Sequence, residues 1–371
     1  MRVLYFTRSF TVHDRRFLKA FGDYGLMVGF LSLYELTSGM LDEVPAGIHK
    51  LGSLGLVPSV TTDDLDSSLH KYTGILEDFV PDIVLAGPLT DCAYIAAGSK
   101  TRIPWVAQSW AFDILWENER EDDAKVRIKF ALTKCSGLFA DCDAVLDRCR
   151  AASDREFSHH AVLPWGIDLR LIDKVRKRNE IRAAMGIGDK VMILHTRGLE
   201  PIYGISTLLT GFLSAYRNNG SLVLVLASTG SQTNLVSSFI AENNLKDVVI
   251  LLGRLDSEKV YDLFSAADIY LSCALCDGTS VSLLESMALG VVPIVPDVGG
   301  NKEWIKDGSR GWLFTPGDQN SLANALIDAS GSDSLRRLEI VARNKNTIYQ
   351  SANWEKNIVA LVSFLESVAR Q

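Results

Sequence analysis

Short apolar runs alternate with longer stretches of helical spacing along almost the whole chain, and this alternation limits the fold more than any other feature. In the first half the runs fall at residues 3–6, 30–33, 82–87, 103–109, 137–142 and 161–165. In the second half they fall at 191–197, 222–228, 248–253, 269–275, 291–295 and 311–314, with helical segments such as 206–217 and 257–266 between them. Parallel strands need a crossover to join them, usually a helix, so repeated units of this kind build parallel sheets. An α/β chain of 371 residues outgrows a single core, and two domains of similar size are expected. The boundaries are placed at 1–168 and 169–350, with a last helix over 351–371. In that helix Trp354, Ile358, Leu361, Val362 and Leu365 recur at helical spacing. The charged segment 168–189, with Asp173-Lys174-Val175-Arg176-Lys177-Arg178-Asn179-Glu180, is the linker, part of it a solvated helix.

Charged residues make up 22% and hydrophobic ones 47%, ordinary for a globular protein, and a formal charge of -7 argues against nucleic acid as a partner. No stretch is long and apolar enough to span a bilayer. The start, Met1-Arg2-Val3-Leu4-Tyr5-Phe6, enters a strand without a signal-peptide layout, so a cytoplasmic location is expected. The basic cluster Lys174, Arg176, Lys177 and Arg178 suits either a solvated helix face, the favoured reading, or peripheral contact with an anionic membrane surface. Six cysteines without a dense framework read as reduced thiols. Cys273 and Cys276 form a lone CxxC without the further ligands a structural zinc site needs, so no metal is expected. Cys135, Cys142 and Cys149 recur every seven residues and read as core and helix positions.

Chemistry concentrates in Cys276-Asp277-Gly278-Thr279-Ser280-Val281-Ser282-Leu283-Leu284-Glu285-Ser286-Met287-Ala288-Leu289-Gly290, between two apolar runs. It reads as strand, polar loop, helix, strand. Such a loop at the carboxyl end of a parallel strand is where open α/β sheets take phosphorylated ligands, since backbone N–H groups and the helix dipole face the anion. Glu285, placed on the first helical turn, offers two oxygens that match the vicinal hydroxyls of a ribose, although the helix dipole alone would also favour it there. Asp277, in the loop, can accept from hydroxyls of a sugar. Arg197 emerges at the end of the run 191–197, where a guanidinium can hold a phosphate through two parallel hydrogen bonds. Past the next strand, Asp297-Val298-Gly299-Gly300 lets backbone approach a ligand closely.

Together with Pro293, Glu303 and Gly311-Trp312-Leu313-Phe314, these segments resemble the donor half of retaining glycosyltransferase family 4, also called glycosyl transferases group 1. Arg197-Gly198-Leu199-Glu200-Pro201-Ile202-Tyr203-Gly204 is similar to that family's first donor motif, and Val162-Leu163-Pro164-Trp165-Gly166-Ile167-Asp168 to its interdomain segment. The resemblance implies a GT-B fold: two Rossmann-like domains with parallel sheets facing a cleft, the last helix packing back on the N-terminal domain. It implies a nucleotide-diphosphate sugar as donor in the C-terminal domain, an acceptor in the N-terminal one, transfer with retention, and no metal or other cofactor. The family's paired acids map to Asp277, contacting the transferred sugar, and Glu285, binding the ribose. Its Arg and Lys, which neutralise the departing diphosphate, map to Arg197 and Tyr203, so the lysine is absent. Its work is assigned to backbone N–H groups around Gly278, Thr279, Ser280 and Val281, or to Lys302. Gly253 and Arg254 are placed in the same nucleotide site.

The N-terminal half is less legible. Where the family often carries a Gly-Gly loop and a His, Arg8-Ser9-Phe10-Thr11-Val12-His13-Asp14-Arg15-Arg16 stands here, and His13 is either a pocket residue or a cap. Asp113, in Gln108-Ser109-Trp110-Ala111-Phe112-Asp113, takes the place of a second family histidine, as an acceptor-side group. Trp110, Phe112 and Trp116 suit sugar stacking or core packing. The expected partners are a sugar nucleotide and a glycan, lipid-linked or small-molecule acceptor. The rival functions are a sugar-nucleotide epimerase, which shares the fold, and a sugar-nucleotide binder that does not transfer.

Overall fold

The computed structural model describes residues 1–58, 61–118, 122–174, 178–306 and 308–371. It divides into two compact units, Met1–Pro164 with Glu355–Gln371, and Trp165–Trp354. The first contains β1 (Arg2–Thr7), β2 (Met27–Tyr34), β3 (His49–Leu56), β4 (Ile83–Ala86), β5 (Trp105–Gln108), β6 (Gly137–Ala140) and β7 (His160–Val162). They form one sheet in the order β3-β2-β1-β4-β5-β6-β7, and its ladders are parallel. The second contains β8 (Val191–His195), β9 (Leu222–Leu226), β10 (Val249–Leu251), β11 (Ile269–Leu271), β12 (Val292–Pro296) and β13 (Trp312–Phe314). Its parallel sheet runs β10-β9-β8-β11-β12-β13. This is the doubly wound α/β class that the alternation implies.

The strands of the second unit are continuous apolar runs because helices cover both faces of its sheet. Ile193, Leu224, Ile269 and Ile294 enter one core cluster, while Met192, Leu194, Val223, Val225, Tyr270 and Val295 enter the other, following the two-residue period of a strand. The helices expected at 206–217 and 257–266 are Ile205–Asn218 and Ser257–Ala266.

Three sequence expectations need correction. The strand β3 falls outside the apolar runs because Gly52 and Gly55 adopt φ of 89° and 84° and its pairing with β2 shifts register, which breaks the two-residue pattern of this edge strand. Within the described part of 168–189 one face of the chain is docked. Helix Arg178–Ala184 buries Ile181 and Arg182, and Arg182 donates to the carbonyls of Ala266 (2.8 Å) and Gly188 (2.8 Å) and to Asp268 (3.2 Å). Arg178 pairs with the same Asp268 while its side chain stays 40% exposed, whereas Arg176 and Lys177 lie outside the described residues, as does the side chain of Lys174. The first unit ends at Pro164 rather than 168 because Ile167 pairs with Asn353. Its N–H donates to Ala352 (2.9 Å) and its carbonyl accepts from Trp354 (3.0 Å).

The last helix, Trp354–Ala369, buries Ile358, Leu361, Leu365 and Val368. It lies over the start of β6, where a Cβ on Gly137 would sit 3.1 Å from Phe364 and 3.2 Å from Val368. Among the described residues no helix is long and apolar enough to cross a membrane.

Candidate functional site

In the second sheet β9 and β10 extend from one side of β8, whereas β11, β12 and β13 extend from the other. The connections leaving the carboxyl ends of β8 and β11 therefore part there, which opens the crevice where doubly wound sheets take ligands. Arg197 leaves β8 at this point, and Asp277 and Ser280 lie in the loop after β11.

These three sequence-predicted residues meet. Arg197 Nη1 donates to Ser280 Oγ at 2.8 Å and Nη2 to Asp277 Oδ1 at 3.3 Å, with side-chain exposures of only 18% for Arg197 and 9% for Asp277. The Tyr203 ring lies under the guanidinium, its centroid 4.6 Å from Cζ. Burial opposes the charge on Arg197, but Asp277, with Tyr203 and Tyr270, more than offsets this and holds its pKa above the ordinary value. Burial also pushes the Asp277 carboxyl above the usual carboxylate range, against the pull of Arg197. Asp277 Oδ2 is buried without a hydrogen-bond partner among the described residues. A buried acceptor left in this state is costly unless a ligand donor meets it.

The loop itself is built to stay still. The Gly300 N–H donates to the Asp277 carbonyl (3.3 Å), and the Trp304 indole N–H donates to Thr279 Oγ1 (3.2 Å). Gly278 and Thr279 are buried in it. Ser280 occupies the N-cap position of helix Val281–Leu289 yet makes no side-chain cap bond, because its hydroxyl accepts from Arg197 instead. Behind Arg197, the buried His195 donates from Nδ1 to the Leu271 carbonyl at 2.9 Å. The β8–β11 ladder ends at Leu194 and Tyr270, so this side chain continues the tie just where the strands part. Burial lowers the His195 pKa to about 4.

Glu285 stands on the second turn of Val281–Leu289, not the first, because the helix begins only at Val281. Tyr261, on Ser257–Ala266, donates to its Oε1 at 3.1 Å. Sequence reasoning missed Tyr261 and His195, since at their places both read as ordinary members of apolar patterns. Lys302, a candidate for the absent lysine's work, instead pairs with Asp297 at 3.1 Å with 60% of its side chain exposed. Gly253, with φ of 74°, and the exposed Arg254 follow the edge strand β10, and β9 separates that strand from β8. Cys273 and Cys276 are buried free thiols, as are the other four cysteines.

His13 and Asp113 belong to the first unit. His13 is half-buried in the first turn of helix Val12–Asp23, capped by Thr11, to whose Oγ1 the His13 N–H donates at 3.3 Å. Asp113 is buried and accepts from the N–H groups of Leu89 (2.7 Å), Trp110 (3.2 Å) and Ile114 (2.9 Å) and from the Ser109 hydroxyl (2.7 Å). Those bonds tie the loops after β4 and β5 together, and burial lifts its pKa to about 6. At the corresponding point of this sheet, where β1 and β4 part, Arg8 pairs with Asp91 and donates to Thr90 Oγ1 (2.6 Å) and Glu117 (3.2 Å). The rule that singles out Arg197, a guanidinium just past a strand, also singles out Arg8. Phe112 and Trp116 face each other with ring centroids 6.5 Å apart.

Fold and site together define a two-unit, doubly wound α/β protein with a buried arginine–aspartate pair at a sheet crevice. Residues 177–346 match the model of the family glycosyl transferases group 1. The amylovoran biosynthesis glycosyltransferase AmsK of Erwinia amylovora is 27% identical, over 90% of this chain and 92% of its own length. An uncharacterised glycosyltransferase of Methanocaldococcus jannaschii is 25% identical over 53% of the chain, and the match spans only 50% of the archaeal protein. The N-acetyl-alpha-D-glucosaminyl L-malate synthase of Bacillus anthracis is 26% identical over 51% of the chain and 49% of its own length. In fold, the chain is similar to HepE of Anabaena, solved in complex with UDP. The TM-score is 0.80 at 17% identity, covering 99% of this chain and 100% of that one. The expected GT-B class, with two parallel Rossmann-like sheets, is the one found.

Proposed function

We propose that this protein is a retaining glycosyltransferase that moves a sugar from a nucleotide-diphosphate sugar to an acceptor hydroxyl. The observation that carries the reading is the convergence of Arg197, Asp277 and Ser280 at the β8–β11 crevice, inside the glycosyl transferases group 1 domain. Breaking a glycosyl phosphate bond builds negative charge on the departing diphosphate. A fixed guanidinium, with backbone N–H groups of the loop and helix from Gly278 to Val281, stabilises that charge without reorganising and without a metal ion. Asp277 takes a hydroxyl of the transferred sugar, for which its unpartnered oxygen is suited, and Glu285, steadied by Tyr261, takes the ribose. The relation to AmsK, a glycosyltransferase of amylovoran biosynthesis, supports a glycan or lipid-linked acceptor, and the HepE complex supports a nucleotide donor. The work belongs in the cytoplasm, at or near the inner face of the membrane.

A panel of sugar nucleotides screened by thermal melting tests this. The native donor raises the melting temperature, since a ligand at 100 times its Kd adds about 2.7 kcal/mol of stability. Glu285→Ala then weakens nucleotide binding at least about tenfold by calorimetry, the loss of a charged hydrogen-bonding group. Slow release of free sugar from the same donor fits a transferase. Its conversion to a second sugar nucleotide would identify an epimerase instead, and a panel without any stabilising member would overturn the donor site.

A further inference from the structure

We propose that Tyr203 is a positioning residue for Arg197, setting the plane of the guanidinium assigned to the diphosphate. The proposal rests on the donor-site reading above and deepens it. A site that grips a diphosphate with an arginine depends on where that arginine points, because a planar fork binds two oxygens only when its plane is aligned.

The surroundings of Tyr203 fix its ring more firmly than a surface tyrosine would need. It closes a short 3-10 turn, Pro201–Tyr203, in which its own N–H donates to the Glu200 carbonyl at 2.9 Å. Glu200 is in turn anchored, accepting from the Ser231 N–H at 2.8 Å. The carbonyl of Ile202 accepts from the Leu275 N–H at 2.8 Å, which ties the turn to the loop after β11. Gly204 follows with φ of 62°, and a Cβ there would stand 2.3 Å from the Cys273 carbonyl oxygen, so only glycine lets the turn lie this close. Gly198 completes the seat: its Cβ would meet the Tyr203 ring at 3.3 Å. The ring thus rests on bare backbone on one side and carries the Arg197 guanidinium, 4.6 Å from its centroid. Ser280 and Asp277 hold the other edges of the same guanidinium, at 2.8 Å and 3.3 Å. Three neighbours from two connections therefore define its plane before any ligand arrives. Preorganisation of this kind raises affinity by removing the cost of ordering the group on binding.

The test uses calorimetry on the full chain with UDP, GDP, ADP and TDP, each beside its matching nucleoside. Tyr203→Ala should weaken the preferred diphosphate about tenfold, the affinity equivalent of one partly desolvated cation–π contact. The nucleoside, which lacks the phosphates, should bind unchanged. Tyr203→Phe keeps the ring and should stay within about threefold of wild type, whereas Tyr203→Leu, which fills the seat without a π face, should fall with Tyr203→Ala. In an Arg197→Ala background the Tyr203→Ala change should have no further effect, because Tyr203 acts only through Arg197. Unchanged diphosphate affinity in Tyr203→Ala overturns the proposal. So do parallel losses for diphosphate and nucleoside, which would mark a purely structural role, and additive losses in the double variant. Wild-type protein that binds none of the four diphosphates would sink the donor-site reading itself.

Discussion

Arg197 and Asp277 are each poorly solvated, and the ion pair between them offsets part of the cost of burying both. His195 supports that pair from behind and has its own pH signature. Its folded pKa of about 4 lies below the ordinary 6.5, so between those values the unfolded chain binds more protons than the folded one. Its contribution to stability is therefore full above pH 6.5 and is lost as pH falls toward about 4. The slope is at most about 1.4 kcal/mol per pH unit. Urea unfolding across this window should show an acid limb that His195→Gln flattens; an unchanged limb would place the acid-sensitive group elsewhere. That Asp277, Arg197 and Ser280 lie in the connections after β8 and β11 was legible in the sequence, because each follows an apolar strand run. Asp113 came from the resemblance, as the stand-in for a second family histidine, and position past a strand does not show that its oxygens accept from N–H groups of its own and a neighbouring loop.

Among the elements, the turn between β8 and helix Ile205–Asn218 has the least freedom. Gly204→Ala places a side chain in the left-handed region and drives its Cβ toward the Cys273 carbonyl, 2.3 Å away. A cost above about 1 kcal/mol follows, measurable as a lower urea midpoint with unchanged slope. Because the turn also seats Tyr203, the same variant should weaken diphosphate binding. Helix Val281–Leu289 makes a related use of its N-cap, turning the Ser280 hydroxyl to Arg197 instead of to its own backbone. The helix gives up a cap bond usually worth about 1 kcal/mol and gains a fixed guanidinium.

For the whole molecule, the first unit is not contiguous in sequence, since Glu355–Gln371 completes it. Leu365 is fully buried in that last helix, and Leu365→Ala should cost roughly 2–5 kcal/mol, the range for a large-to-small change in a core. The loss belongs to the first unit. Hydrogen exchange should therefore show lower protection in β6, against which the helix lies, and leave β8 and β9 unaffected. Equal loss in both sheets would mean that the two units unfold as one.

By itself the sequence determined the class of fold, the places of most strands along the chain, and the positions of Arg197, Asp277 and Glu285 in their strand–loop–helix units. Those follow from local periodicity and from spacing along single strand–loop–helix units, which neighbours do not alter. Only the tertiary structure decided that Tyr203 underlies Arg197, that Tyr261 reaches Glu285, that Lys302 pairs with Asp297, that Asp113 accepts from Leu89, and that Arg182 is buried against Ala266. The Tyr261, Asp113 and Arg182 contacts join segments far apart in the chain, whose meeting depends on strand order and on which groups are buried together, and the Tyr203 and Lys302 contacts depend on how their own turns fold; the pattern of a single segment carries neither.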